Sequence, residues 1–325
     1  RLVYPSPLGK IHTIFLGIYR NCFIAEEGHS RSIRIDLMHL VDDGSNSRLA
    51  VDAAVELENP VSGGDARDIE AARLARLRPY AVHTVACLAD NYAYVIVDLA
   101  RSGMGPIEVA LVDPCEPSAA LKALQNLSRE EYDGRALEPV AILTTHRHWD
   151  HAGGNKTLKK HFPRIRIYGG VEDHVSCCTH PLRDGDALSV GSLTIVALHA
   201  PCHTRGSLCF RIDGPTPTLF GGDTLFCGGC GAPFEGTAAE MSHNFAKIWK
   251  RCPPNTLIFT GHEYTVSILP SYFNGQLPLP NHPAAFGKVC SLLWRAQQLR
   301  SHSSPVPTSP LILADELLIN SNFSA

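Results

Sequence analysis

From residue 81 onward the chain alternates short apolar runs with turns and with longer amphipathic stretches. The apolar runs are rich in aliphatic and aromatic side chains and are bounded by turn-forming residues, a pattern that predicts β-strands. The predicted strands are residues 82–88, 92–98, 107–113, 140–145, 164–168, 187–190, 193–198, 207–212, 218–222 and 256–260. Helices are predicted at residues 117–127, 155–161 and 238–251. Because strands and helices interleave, we expect sheets flanked by helices in a layered α/β fold.

The two ends of the chain have a different character. Residues 1–80 carry no chemical motif, and there we predict an acidic, turn-rich loop at residues 42–47 and a helix at residues 68–78. Near the other end, apolar residues recur at helical spacing and predict a packed helix. These apolar residues are Phe286, Val289, Leu293, Ala296 and Leu299. A turn-rich break at residues 303–310 then precedes a last short helix.

Composition and charge exclude several classes of protein. With 44% hydrophobic and 19% charged residues among 325, the chain can form a sizeable core. The net charge of -3, from 29 basic and 32 acidic residues, argues against a nucleic-acid-binding protein. Residues 11–25 form the most apolar stretch, but it is too short to span a membrane and contains Arg20. Association with a membrane surface stays open, and no partner protein is indicated. The first residue is Arg1 rather than Met, which leaves room for a targeting segment ahead of it.

The cysteine pattern indicates a reduced, intracellular protein. The 11 cysteines are odd in number and scattered, unlike the framework of a small disulfide-rich domain. We therefore expect a cytoplasmic or mitochondrial location. Cys227 and Cys230 form a C-x-x-C pair, which occurs in redox sites and zinc sites. Since no second pair completes a tetrahedral site, we interpret this spacing as coincidental.

The strongest chemical signal is a histidine-rich segment that follows a predicted strand and precedes a predicted helix. Three imidazoles and a carboxylate lie within six residues, at His146, His148, Asp150 and His151. Burying that many polar groups is costly unless each finds a partner, and positively charged histidines would repel one another. A divalent metal removes both costs, because neutral imidazole and carboxylate are good ligands for zinc and iron. The segment therefore predicts a metal site.

Three more candidate ligands each follow a predicted strand: His203, Asp223 and His262. Taken singly, each could be an exposed loop histidine or an aspartate that caps a helix. Their joint occurrence after the histidine-rich segment favours ligands. Five histidines and two aspartates suffice for two adjacent metals that share one carboxylate.

These motifs together resemble the metallo-β-lactamase superfamily. The runs around Gly222–Asp223–Thr224, Gly229–Cys230–Gly231, Phe234–Glu235–Gly236–Thr237 and Gly261–His262–Glu263 resemble its glyoxalase II (hydroxyacylglutathione hydrolase) branch in particular. The similarity covers residues 81–323, about three-quarters of the chain. Trp149 and the long N-terminal stretch most resemble the subgroup of hydrolases named after paroxysmal nonkinesigenic dyskinesia.

The resemblance implies a four-layer αββα sandwich with a C-terminal helical region. It divides the chain into an N-terminal extension of unknown role (1–80), a metallo-β-lactamase-type catalytic domain (81–265) and a helical substrate-side region (266–325), shorter than in glyoxalase II. Two divalent ions per chain, zinc, iron or both, are expected. The resemblance assigns His146, His148 and His203 to the first ion, Asp150, His151 and His262 to the second, and Asp223 to both.

The implied activity is hydrolysis of a thioester, in particular an acylated glutathione. Two adjacent metals can activate a hydroxide that attacks the carbonyl and can polarise that carbonyl. Asp150 and Asp223 are the implied catalytic residues, since Asp150 would orient the hydroxide and Asp223 would join the two metals. Tyr264 and Phe234 are the implied substrate-binding residues.

Two positions depart from the glyoxalase II pattern. Where that branch has a lysine and a tyrosine that hold glutathione, this chain has Ala232 and Phe234, whereas the tyrosine at Tyr264 is retained. The substitutions fit either a change of substrate or drift in a surface loop. The alternative functions are a persulfide dioxygenase with one iron and a weakly active regulatory relative. The complete set of seven candidate ligands favours the hydrolase.

Overall fold

The computed structural model describes residues 79–100, 105–273, 283–301 and 308–320. The acidic loop and the helix predicted within residues 1–80, and most of the break predicted at 303–310, lie outside the described residues. The division of the chain into three parts therefore remains a prediction. Among the described helices, none combines the length and apolar character that a membrane crossing requires.

The first sheet has six strands in chain order. They are β1 (Tyr80–Cys87), β2 (Asn91–Asp98), β3 (Ile107–Val112), β4 (Leu137–Leu143), β5 (Arg166–Gly170) and β6 (His180–Leu182). The pairs β1–β2 and β2–β3 are antiparallel, and the pairs from β3 to β6 are parallel. Because β3 and β4 are parallel neighbours, with Val112 opposite Leu143, the segments that follow them emerge side by side.

The second sheet also has six strands and runs in the reverse order, from β12 to β7. They are β7 (Ala187–Val190), β8 (Leu193–His199), β9 (Leu208–Ile212), β10 (Thr218–Gly222), β11 (Leu257–Thr260) and β12 (Leu311–Ile312). Only β10 and β11 pair in parallel, so the loops that follow these two strands also leave the sheet at the same edge.

The two sheets pack face to face over an apolar core. Tyr94 of the first sheet contacts both Phe220 and Phe259 of the second, with ring centroids 5.4 and 5.1 Å apart. The rings of Phe220 and Phe259 stack at 5.2 Å. Alternation along β2 explains why the whole strand is buried: Tyr94 and Ile96 face the other sheet, whereas Val95 and Val97 belong to the core under the helices.

Helices cover the outer face of each sheet. Helices α1 (Pro117–Glu130), α2 (Trp149–Ala152) and α3 (Asn155–His161) connect strands of the first sheet, and α1 and α3 pack over it through Leu124, Leu127 and Leu158. On the second sheet lie α4 (Ala238–Arg251), α6 (Pro283–Ser301) and α7 (Leu313–Ile319), while α5 (Thr265–Ile268) follows β11. This arrangement confirms the four-layer αββα sandwich and the helical C-terminal region. The helix predicted from apolar spacing is α6, with Val289, Leu293 and Ala296 buried.

Some element bounds differ from the expectation for local reasons. The strand predicted at 140–145 begins at Leu137 and ends at Leu143, because Glu138 and Pro139 interrupt the apolar run that marked it. The register between β3 and β4 shifts beside Pro139, a residue that has no N–H to donate. Strands β6 and β12 were not predicted. They have three and two residues, too few to show a strand periodicity.

Helix α7 carries a buried carboxylate, Glu316, that accepts a hydrogen bond from the turn containing Gly228. Glu316 is fully buried and accepts hydrogen bonds from the Gly228 N–H at 2.8 Å and from the Asn320 side chain at 3.2 Å. Gly228 has a φ of +70°, and its carbonyl accepts a hydrogen bond from Tyr272. Burial raises the pKa of Glu316 to about 7.

We expect Glu316→Gln to flatten the pH dependence of stability. Because the pKa of Glu316 is higher in the folded protein than in the unfolded chain, its stabilising contribution is complete below about pH 4.3 and is lost as the pH rises through 7. The free energy of unfolding should therefore fall across this window by an amount on the order of 3 kcal/mol. Urea titrations at several pH values check this. An unchanged slope in the variant would contradict it, and Asp315→Asn on the same helix is the control.

Candidate metal centre

The histidine-rich loop is anchored by the end of the neighbouring strand. Asp113 follows β3 and accepts hydrogen bonds from the backbone N–H of Thr145 at 2.7 Å and from its hydroxyl at 2.6 Å. Thr145 follows β4, so the parallel pairing of β3 and β4 brings the two residues together. His148 then precedes α2, whose first turn carries Asp150 and His151. One short segment thereby turns four polar side chains toward the same edge of the sandwich.

Three imidazoles, the first trio, converge from two loops. The Nδ1 atom of His148 lies 3.0 Å from Nε2 of His146 and 3.0 Å from Nε2 of His203, which follows β8. His146 and His203 are buried. Three ring nitrogens this close need something positive between them, either shared protons or a metal ion.

A second trio lies beside the first. Nε2 of His151 lies 3.2 Å from Nε2 of His262, which follows β11. Oδ2 of Asp150 is 3.4 Å from the same His262 nitrogen and 3.7 Å from that of His151. The ligand atoms of each trio lie within 4.8 Å of one another, close enough to surround a single ion.

Asp223 connects the two trios. It follows β10, and its Oδ2 lies 3.5 Å from Nε2 of His203 in the first trio and 3.5 Å from Nε2 of His262 in the second. Its Oδ1 lies 3.3 Å from Nε2 of His151, yet has no hydrogen-bond partner among the described residues. A buried carboxylate oxygen without a donor is costly, and a bound cation would satisfy it.

Two glycines allow the chain to approach this carboxylate. A Cβ on Gly261 would collide with Oδ1 of Asp223 and lie 2.9 Å from Cε1 of His151. A Cβ on Gly231 would collide with the Asp223 carbonyl and lie 2.8 Å from Nδ1 of His203. The two positions need glycine for space rather than for backbone conformation.

The outward-facing ring nitrogens have acceptors that set the tautomer. Nδ1 of His151 lies 3.0 Å from Asp113, that of His262 lies 2.9 Å from Asp90, and that of His203 lies 2.8 Å from the Ala232 carbonyl. A proton on each Nδ1 leaves Nε2 with a free lone pair toward the centre, as a metal ligand requires. Asp90 and Asp113 were not predicted from the sequence. Their signal was their position at the ends of strands, since Asp113 is the last residue of the strand predicted at 107–113 and Asp90 lies in the turn between the strands predicted at 82–88 and 92–98.

The pKa shifts describe a set of paired charges among these side chains. Burial lowers the pKa of His146 well below its usual value. The hydrogen bond with His262 lowers the pKa of Asp150. Burial alone would lower the pKa of His262, but its hydrogen bonds with Asp150 and Asp223 raise it to about 10. Burial opposes ionisation of Asp223 as well, yet the charge of His151 lowers its pKa well below the usual value.

The donor set therefore fits divalent cations. Imidazole nitrogens and ionised carboxylates face inward, the outer nitrogens of His151, His203 and His262 are hydrogen-bonded, and Asp223 lies between the trios. The carboxylates favour protonated histidines such as His262, and a bound ion would take the place of those protons.

The two predicted substrate-binding side chains lie at this centre. Tyr264 stacks on the His262 ring with centroids 4.6 Å apart, and Phe226 packs edge-on against Tyr264 at 5.2 Å. Phe234 lies next to the first trio, with its ring centroid 5.1 Å from that of His203 and 6.1 Å from that of His148. That both bind substrate remains a prediction.

The C-x-x-C pair shows no sign of thiolate chemistry. Burial raises the pKa of Cys227 well above its usual value and that of Cys230 to about 11. Reactive cysteines have a lowered pKa instead.

Comparisons with known proteins agree with the fold and the centre. Residues 92–262, just over half of the chain, match the model of the metallo-beta-lactamase superfamily, and this range contains all seven candidate ligands. The cytoplasmic hydroxyacylglutathione hydrolase of Arabidopsis thaliana is 38% identical over 73% of this chain and 84% of its own length. The hydroxyacylglutathione hydrolase-like protein of Gallus gallus is 33% identical over 74% of this chain and 78% of its own.

A crystal structure of a metallo-beta-lactamase from Staphylococcus aureus superposes with a TM-score of 0.52 and 20% identity, over 76% of this chain and 65% of that chain. This likeness supports the fold alone. The assignment to the dyskinesia-related subgroup remains a prediction. With its family model matched over residues 92–262 and two curated relatives covered over most of their length, the chain belongs to the metallo-β-lactamase superfamily and, within it, to the glyoxalase II branch.

Proposed function

We propose that this protein is a metal-dependent thioester hydrolase that acts on acylated glutathione and holds two divalent ions, zinc, iron or both. The first trio would hold one ion, the second trio the other, and Asp223 both. The observation that carries the proposal is Asp223, whose carboxylate reaches both trios. The names of the two relatives supply the substrate class. The expected cytoplasmic or mitochondrial location rests on cysteine usage.

Two ions bound this close together would supply Lewis acidity at the carbonyl and lower the pKa of a water molecule. The protein contributes a carboxylate that stays ionised, because hydrogen bonds with His262 and Asn91 lower the pKa of Asp150. Asn91 donates at 2.9 Å to the Asp150 carbonyl and at 3.1 Å to its carboxylate. Asp150 is only partly buried, so it can accept a hydrogen bond from a water molecule and orient it toward the thioester carbon.

The direct test combines activity with metal content. Full-length protein purified without chelator should hydrolyse S-lactoylglutathione and contain two divalent ions per chain. One ion per chain in metal-replete protein, together with oxygen-dependent turnover of a persulfide, would favour the dioxygenase instead. A full complement of metal without any thioester turnover would favour a regulatory role.

We expect the double change Ala232→Lys with Phe234→Tyr to improve the use of glutathione thioesters. It restores a cation and a hydroxyl, contacts that contribute about 1.5–3 and about 1 kcal/mol. The KM for S-lactoylglutathione should fall by about tenfold or more while kcat changes little, because these groups strengthen binding of the substrate in the ground state. Steady-state kinetics measure this. Lys247→Ala on the outer helix α4 is a control for a change of charge, and an unchanged KM would show that the peptide is held elsewhere.

A further inference from the structure

An exposed aromatic side chain borders the first trio. Phe234 is 70% exposed, although its ring lies 5.1 Å from that of His203. Trp149, between the candidate ligands His148 and Asp150 in the chain, is 72% exposed. Of the large apolar residues in the described part of the chain these two are the most exposed, and the next, Leu88, is 46% exposed. Apolar surface concentrated at a functional site indicates a binding surface.

The loop that carries Phe234 is held in place by its backbone. The Gly231 N–H donates to the Asp223 carbonyl at 2.8 Å, and the Glu235 N–H donates to the Cys202 carbonyl at 3.0 Å. The Ala232 carbonyl is the acceptor for His203 at 2.8 Å. The backbone on either side of Phe234 is thus hydrogen-bonded to the segments that carry His203 and Asp223. Because the loop is already ordered, binding a substrate group against Phe234 does not require a large loss of backbone entropy.

The charged side chains around this loop are already paired. Arg147 forms ion pairs with Asp173, at 3.1 Å, and with Glu235. Arg205 forms an ion pair with Glu240 at 2.8 Å, and its backbone N–H donates to Glu235 at 2.7 Å. Directly before Phe234 the chain has the uncharged residues Ala232 and Pro233, and the residue that follows it, Glu235, is the one paired with Arg147. Because Arg147 and Arg205 are already paired, the surface formed by Phe234 suits an uncharged group better than a peptide carboxylate.

We propose that Phe234 is a specificity-determining residue that binds an apolar, aromatic-sized substituent of the thioester. The proposal rests on the proposed function and narrows its substrate class. The substituent belongs either to the acyl group or to the thiol group, and both present the same chemistry to the ring. An aromatic substituent would pack against Phe234 and remove its exposed face from water.

The test compares three thioesters on the metal-loaded, full-length enzyme, with S-lactoylglutathione as the reference in both arms. The acyl arm is the ratio of kcat/KM for S-mandeloylglutathione to that for S-lactoylglutathione. The thiol arm is the ratio of kcat/KM for the lactoyl thioester of 2-phenylethanethiol to that for S-lactoylglutathione. Phe234→Ala should lower one of these ratios by about tenfold, and the arm that responds identifies the side of the carbonyl. Phe234→Tyr, which keeps the ring, should retain the wild-type ratio in the acyl arm, because both substrates of that arm carry glutathione and gain equally from the added hydroxyl.

Trp249→Ala is the matched control, because Trp249 is an exposed aromatic residue on α4, outside the site. If both ratios are the same in Phe234→Ala as in Trp249→Ala, the proposal about Phe234 is wrong. The proposed thioester hydrolysis would not be affected by that result. If the wild-type enzyme hydrolyses none of the three thioesters, the proposed function fails, and this inference fails with it.

Discussion

Asp223→Ala is expected to release more metal than any other single substitution in the protein. Each of the other six candidate ligands belongs to one trio, whereas the Asp223 carboxylate lies within 3.5 Å of nitrogens from both. Its removal should weaken both sites and lower kcat/KM for the thioester by more than about 100-fold, the loss that partners outside the ligand set alone can cause. Elemental analysis gives the metal content, and steady-state assays give the activity.

Two variants bracket this result. His262→Ala removes a ligand of the second trio only, and we expect it to keep close to one ion per chain. Asp213→Ala removes an exposed aspartate that pairs with Arg211 on the surface, and it should keep both ions. If Asp223→Ala bound as much metal as Asp213→Ala, Asp223 would not be a shared ligand.

Gly261→Ala should inactivate the enzyme although it adds only a methyl group. The new Cβ would collide with Oδ1 of Asp223 and lie 2.9 Å from the His151 ring and 3.0 Å from the Gly222 backbone. The backbone of Gly222 cannot yield easily, so we expect the carboxylate to move. A displacement of about 1 Å at a catalytic centre can cost about 100-fold in rate. Metal content should fall with activity, since Asp223 is the group that is displaced.

Gly221→Ala is the matched control for this prediction. Gly221 lies in β10, two residues before Asp223, and a Cβ there would meet its nearest neighbour, Leu225, at 3.4 Å. We expect this variant to keep its metal content and most of its activity. Equal losses in the two alanine variants would mean that Gly261 matters for folding alone, and thermal unfolding curves would show that directly.

The sequence predicted the strands that form the core and most of the centre because those signals are local. The apolar runs of β2 and β10 are continuous, and four of the seven candidate ligands lie within six residues. The other three, His203, Asp223 and His262, were found because each follows a strand. The structure brings all seven together, while their binding of metal is still to be measured.

What the sequence did not predict depends on contacts between distant segments. Asp113 and His151 are 38 residues apart, and Asp90 and His262 are 172 apart, so neither hydrogen bond leaves a pattern in the chain. The exposure of Phe234 depends likewise on how its loop packs against His203. Glu316 looked like an ordinary acidic residue of a short helix, and only the fold shows that it is buried against Gly228.

Each trio takes its members from both halves of the sandwich. His146 and His148 follow β4 of the first sheet, as do Asp150 and His151, whereas His203 and His262 follow strands of the second. A bound ion therefore acts as a cross-link between the sheets, comparable to a disulfide that joins distant parts of a chain. Since the unfolded chain cannot present the same arrangement, binding free energy adds to folding free energy. Chelation would thus loosen the protein as well as inactivate it, and loss of activity on heating would begin with loss of the ions.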